Sequence, residues 1–87
     1  MYELIIKNYI KNLTKNDIIY FALLNNINLN DNELDYVYHT LKCNYKILLS
    51  DKYECILNEG KNYLTSENYE KICNLFIDYR NKFKDYL

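Results

Sequence analysis

His39 and Cys43 stand four residues apart, the spacing at which two side chains on one helical face can ligate a single metal ion. Cys55 and Cys73 supply two further thiols, so a tetrahedral zinc site is the chemistry this set would serve. The separations are irregular, however, and the chain has no CxxC or HxxxH knuckle. The reading adopted is that these thiols fill gaps in a core as small, soft apolar groups. The same residues make a cysteine–histidine nucleophile pair on paper, but neither a third orienting group nor an oxyanion loop accompanies it. No catalytic residue, no metal and no cofactor is expected.

The carboxylate pairs are equally well explained without catalysis. Asp31 with Glu33, and Glu67 with Glu70, fall in first helical turns, where negative charge meets the positive end of the backbone dipole. With one glycine in the chain, a phosphate-cradling loop cannot be built, which removes kinases, nucleotide hydrolases and dinucleotide enzymes. A helix-turn-helix over residues 15 to 42 is the nucleic-acid alternative. Its second helix opens with DNELD, whose three carboxylates would face phosphate, so basic surface would have to come from Lys7, Lys11 and Lys15 or from Arg80, Lys82 and Lys84.

Composition sets the remaining bounds. Eighty-seven residues are expected to form a single helical domain, 1–87, with little surface to spare for a deep cleft. Eleven Lys plus Arg against twelve Asp plus Glu give a net charge of -1, which disfavours nucleic acid as the partner. No stretch of about eighteen apolar residues exists, and no basic, apolar leader follows Met1, so a soluble chain without a membrane partner is expected. Three cysteines, odd in number and widely spaced, fit a reducing cytoplasm. The abundance of Asn, Ile, Lys and Tyr is what an AT-rich genome encodes, so tyrosine count alone carries no function.

The elements that must position any site are announced by a repeated polar grammar. LTKNDI at 13 to 18, LNDNEL at 29 to 34 and LTSENY at 64 to 69 each place a leucine before a capping residue and a large apolar group four residues after the cap. Asn30 and Glu33 make a capping box, with Leu29 and Leu34 as the hydrophobic staple; Thr14 with Asp17, and Thr65, repeat the device. A partial fourth copy lies at Leu49, Ser50 and Asp51. These are helix starts, and their unequal spacing rules out a solenoid repeat.

Five helices follow. Residues 2 to 12 gather Tyr2, Ile5, Ile6, Tyr9, Ile10 and Leu13 on one arc, opposite Lys7 and Lys11. The second helix, Lys15 to about Asn25, is apolar around its whole circumference from Ile18 to Leu24 and is expected in the middle of the fold. The third, Asp31 to about Lys42, carries Leu34, Val37, Tyr38 and Leu41 at helical spacing, and residues 45 to 49 alternate as an extended connector. The fourth runs from Asp51 to Glu59 and is expected to stop at Gly60 with positive φ. The fifth, Ser66 to about Tyr86, is the longest. The fold class expected is all-α, a compact bundle of four to five short helices with a buried second helix.

The order of these signals resembles the YqfT-like proteins, a small bacterial family of unknown function. The resemblance is carried by LTKNDI, LNDNEL, KILLSDKYECIL and LTSENYEKICNLFIDYRNKF, over roughly residues 10 to 83. It implies an all-helical cytoplasmic bacterial protein and brings no activity, ligand or site residue.

The last helix presents the broadest apolar stripe, with Tyr69, Ile72, Cys73, Leu75, Phe76, Tyr79, Phe83, Tyr86 and Leu87 spread over about 160° at 100° per residue. That is wider than one neighbouring helix covers. Leu75, Tyr79 and Tyr86 are therefore the candidate protein interface, tyrosine giving large contact area at small entropic cost. The functional expectation is a non-enzymatic interaction module, an adaptor, regulator or inhibitor, whose partner is another protein or a second copy of the chain.

Overall fold

Three of the four polar tetrads open helices as their chemistry dictates. In a computed structural model, which describes residues 2–82, Thr14 caps α2 (Lys15–Leu24): its hydroxyl accepts from Asp17 N–H at 3.2 Å, and the Asp17 carboxylate accepts from Thr14 N–H at 2.9 Å. Asn30 caps α3 (Asp31–Leu48) in the same way, with Glu33 N–H donating to Asn30 Oδ1 at 2.8 Å and Asn30 N–H donating to the Glu33 carboxylate at 3.1 Å. Thr65 caps α5 (Ser66–Lys82) by accepting from Asn68 N–H at 3.2 Å. With α1 (Tyr2–Asn12), α4 (Tyr53–Glu59) and a 3-10 turn (Gly60–Asn62), every regular element among the described residues is helical, and the protein is all-α. None of these helices is long and apolar enough to cross a membrane. The side chain of Tyr2 and the residues Phe83, Lys84, Tyr86 and Leu87 lie outside the described set.

The chain groups into two compact units, residues 1–45 and 46–87. In the first, Leu13, Ile18 and Leu34 form a buried cluster, with Ile10, Leu29, Val37, Tyr38 and Leu41 packed around it. Both staples, Leu13 with Ile18 and Leu29 with Leu34, thus contribute to one core, and the expected α3 stripe is in place. Lys42 closes α1 by donating from Nζ to the carbonyls of Ile10 at 2.7 Å and Lys11 at 2.9 Å, a cation on orphan acceptors at the negative end of a helix. In the second unit, Arg80 ties three segments together. Its guanidinium lies 4.3 Å over the Tyr53 ring, donates to the Leu48 carbonyl at 3.1 Å, and sits 3.6 Å from the Asp51 carboxylate. The Tyr53 ring in turn meets Phe76 at 5.6 Å between centroids.

Several expectations are corrected. Residues 45 to 48 are helical, so no extended connector follows; Asn44, at φ -120° and ψ 15°, is non-helical, and α3 is two helical segments joined by a kink there, the first ending near the expected Lys42. In the second segment Tyr45 and Leu48, three residues apart, share a face, and Leu48 is buried. Ser50 does not cap α4: its hydroxyl donates to the Ile47 carbonyl at 2.6 Å and accepts from Lys52 N–H at 3.1 Å, closing the third helix, and α4 starts later, at Tyr53, with no side-chain cap.

Gly60 does not supply a positive φ either. It is right-handed, at φ -57° and ψ -24°, and leads α4 into the 3-10 turn. The left-handed residue is Asn26, at φ 59°. Around it Ile27 N–H donates to Ala22 O at 2.8 Å and Asn26 N–H to Leu23 O at 3.1 Å, the paired bonds of a Schellman motif, with Ile27 and Ala22 buried together. A Cβ at Gly60 would meet the Tyr69 ring at 3.5 Å and Leu64 Cδ1 at 3.6 Å, ordinary van der Waals contact. Gly60→Ala is therefore expected to stabilise the protein by about 0.4–1 kcal/mol through the unfolded chain's lost freedom, read as a higher midpoint in thermal unfolding.

Candidate functional site

The groups singled out for chemistry do not converge. His39 and Cys43 share α3 and are both exposed, the His39 ring resting edge-on to Tyr38 at 5.5 Å. Cys55 is exposed and Cys73 half-buried, so the expectation that the thiols fill a core fails for Cys43 and Cys55; all three are free thiols. The reason is register: both exposed thiols fall off the apolar stripe of their own helix. Among the described residues no group of three His, Cys, Asp or Glu side chains is placed to hold a metal ion.

Lys15, Lys42 and Arg80 are committed to the fold. Lys15 Nζ meets Asp35 Oδ1 at 2.6 Å, and that hydrogen bond, with the attraction of opposite charges, holds the Asp35 carboxyl below and the Lys15 ammonium above their ordinary values. The Lys15 and Lys42 ammonium groups flank the Tyr38 ring at 5.6 and 5.4 Å. Of the three carboxylates that open α3, Glu33 is folded into the cap and Asp35 is paired with Lys15. Arg80 is likewise engaged with Leu48, Asp51 and Tyr53. Both basic sets invoked for a nucleic-acid surface thus lose a member to internal contacts.

On α5 the stripe seen in the sequence is mostly covered. Tyr69, Ile72, Cys73, Leu75 and Phe76 are half-buried, while Tyr79 is 38% exposed with Lys82 Nζ 5.9 Å over its ring. Of the candidate interface, then, Leu75 is half-buried, Tyr79 is at the surface and Tyr86 lies outside the described residues.

The larger apolar surface is elsewhere, and it overturns the expectation of an enclosed second helix. Only Ile18 and Ala22 of α2 are buried. Ile19, Tyr20, Phe21, Leu23 and Leu24 are exposed by 39, 68, 44, 58 and 64%. The cause is supply: Leu34 and its α3 neighbours pack on the Ile18 side of a ten-residue helix and leave the rest of its circumference uncovered. On α1 the expected arc is covered along one edge: Ile6 is half-buried, Ile10 packs on the core and Leu13 belongs to it, whereas Ile5 and Tyr9 are 61 and 66% exposed, as is Leu4, off that arc, at 60%. Lys15 bends toward Asp35, so no charge interrupts α2 from Ile18 to Leu24. A contiguous charge-free apolar helix face is the surface signature of a contact site.

Comparison with known proteins returns no matching family model, no matching curated protein and no matching solved structure. The site therefore rests on its geometry.

Proposed function

We propose that this chain is a small non-enzymatic interaction module of the cytoplasm, an adaptor, regulator or inhibitor that works by covering its exposed α2 face, flanked by the apolar residues of α1. The observation that carries this is the exposure of Ile19, Tyr20, Phe21, Leu23 and Leu24 within a stretch, Ile18 to Leu24, that carries no charge. Burying such surface yields roughly 25 cal/mol per Å², so a face of this size is a strong driving force for association. The Tyr79 edge of α5 offers a second, smaller contact. Free thiols, odd in number, support a reducing compartment. The likeness to the YqfT-like proteins adds a bacterial setting and no activity.

The test is a photo-cross-linking amino acid in place of Tyr20, irradiated in the native cell. The expected result is a covalent adduct to a second polypeptide, lost when Leu23 is also changed to Glu. Recovery of the uncoupled chain alone would remove the interaction reading.

A further inference from the structure

We infer that the occupant of the α2 face is a second copy of this chain, the two α2 helices crossing antiparallel about a twofold axis. This rests on the reading of that face as a contact surface and names what covers it. The pattern of the exposed residues is the first argument. Ile19 with Leu23, and Tyr20 with Leu24, form two i, i+4 rows side by side over about 140° of the helix at 100° per residue, and exposed Phe21 borders the second row. Rows of this kind are the ridges that interdigitate when two helices pack in the commonest globular arrangement, and a pair of identical ridges fits its own copy.

Charge is the second. A twofold contact brings every group near its own duplicate, which is costly for any charged residue close to the axis. Between Ile18 and Leu24 there is none. At the start of α2 Lys15 is paired with Asp35 at 2.6 Å, and the Asp17 carboxylate is engaged in the cap, accepting from the Thr14 backbone. In an antiparallel pair this turn meets the partner's neutral Asn25 and Asn26, and the helix dipoles oppose favourably. A membrane surface suits the face less well, since amphipathic lipid binders border their apolar side with unpaired basic residues, and Lys15 here is turned to Asp35.

Area is the third. From their exposures, the two α2 rows offer on the order of 450 Å² and Ile5 and Tyr9 of α1 roughly 280 Å² more, close to the about 800 Å² per partner of a stable interface. Only Leu13 and Thr14 separate α1 from α2, which leaves α1 within reach of a partner seated on α2. The surface is also more apolar than a transient interface needs, as in self-association.

Sedimentation equilibrium on the full chain tests this. The expected mass is twice 10.6 kDa at micromolar concentration. Leu23→Glu and Leu23→Lys, each adding a charge that meets its duplicate, are expected to weaken self-association at least 100-fold while leaving the helical circular dichroism intact. Mixing the two variants in equal amounts is expected to restore the dimer, which a folding defect would not allow. A wild-type chain that stays monomeric to millimolar concentration overturns the inference, as does a dimer indifferent to both variants, or a monomer that instead floats with anionic phosphatidylglycerol vesicles. If the chain is monomeric but the Tyr20 cross-linker captures a different polypeptide, this inference falls and the interaction reading stands; no adduct and no dimer remove both.

Discussion

Leu34→Ala is expected to lower the protection of the amides in α2 and the first half of α3 against hydrogen exchange by about 2–5 kcal/mol. Leu34 is the place where the first unit's core comes together: it is buried with Leu13 and Ile18, and it closes the staple with Leu29. Removing its isobutyl group deletes the transfer gain of burial and leaves a void that three flanking helices cannot fill without moving. In a chain of 87 residues the whole folding free energy is about 4–13 kcal/mol, so a loss of that size threatens the unit's native state. The control is Leu24→Ala, the same atoms removed from the exposed side of α2. Measured in the Leu23→Lys background, which holds the chain monomeric, it is expected to change protection by no more than about 0.5 kcal/mol. Equal effects at the two leucines would show that α2 is enclosed after all.

Helix starts were legible in the sequence because a capping box is closed within four residues. Thr14 with Asp17 and Asn30 with Glu33 need no information from the rest of the chain, and both boxes form. Helix ends were less legible, since the same short polar residues serve either end. Ser50 carries the chemistry of an N-cap, but it is used to finish α3, whose short segment after the Asn44 kink runs up to it and buries Leu48. Glycine drew attention to position 60 for a left-handed turn, whereas Asn26, the other residue that tolerates that region, takes it. The signal was present in the Asn25–Asn26 pair that follows seven apolar residues.

The candidate site was half legible. That α2 is apolar all round is plain from Ile18 to Leu24, and from that pattern burial is the natural inference. Burial, however, is a property of neighbours, and one α3 stripe has the width to cover only Ile18 and Ala22. The residual face is therefore the part of the site that composition shows but cannot locate. On α5, Phe76 spends part of the wide stripe on the Tyr53 ring, while Tyr79 stays at its exposed edge.

Glu33→Ala is the second large effect expected, a loss of about 2–4 kcal/mol in chemical denaturation. At 2% exposure Glu33 is the most deeply enclosed polar residue of the described chain, an unusual place for a carboxylate, and every buried side-chain nitrogen and oxygen in the described set has a partner. Alanine removes the acceptor that the Asn30 N–H uses, which costs about 1 kcal/mol as a lost cap, and empties a volume inside the core. Glu33→Gln keeps both the volume and an acceptor, and glutamine serves in the same box, so it is expected to cost less than half as much. If Gln proves as harmful as Ala, the charge rather than the shape and acceptor is what the site requires. A double-mutant cycle with Asn30→Ala isolates the reciprocal pair, with a coupling of about 1 kcal/mol expected if the box acts as a unit. The box also sets where α3 begins, and hence the position of Asp35, two residues on, which holds Lys15 and the first turn of α2. Loosening it should therefore raise hydrogen exchange in the first turn of α2 before that of its last, because the Schellman bonds from Ile27 and Asn26 hold the far end independently.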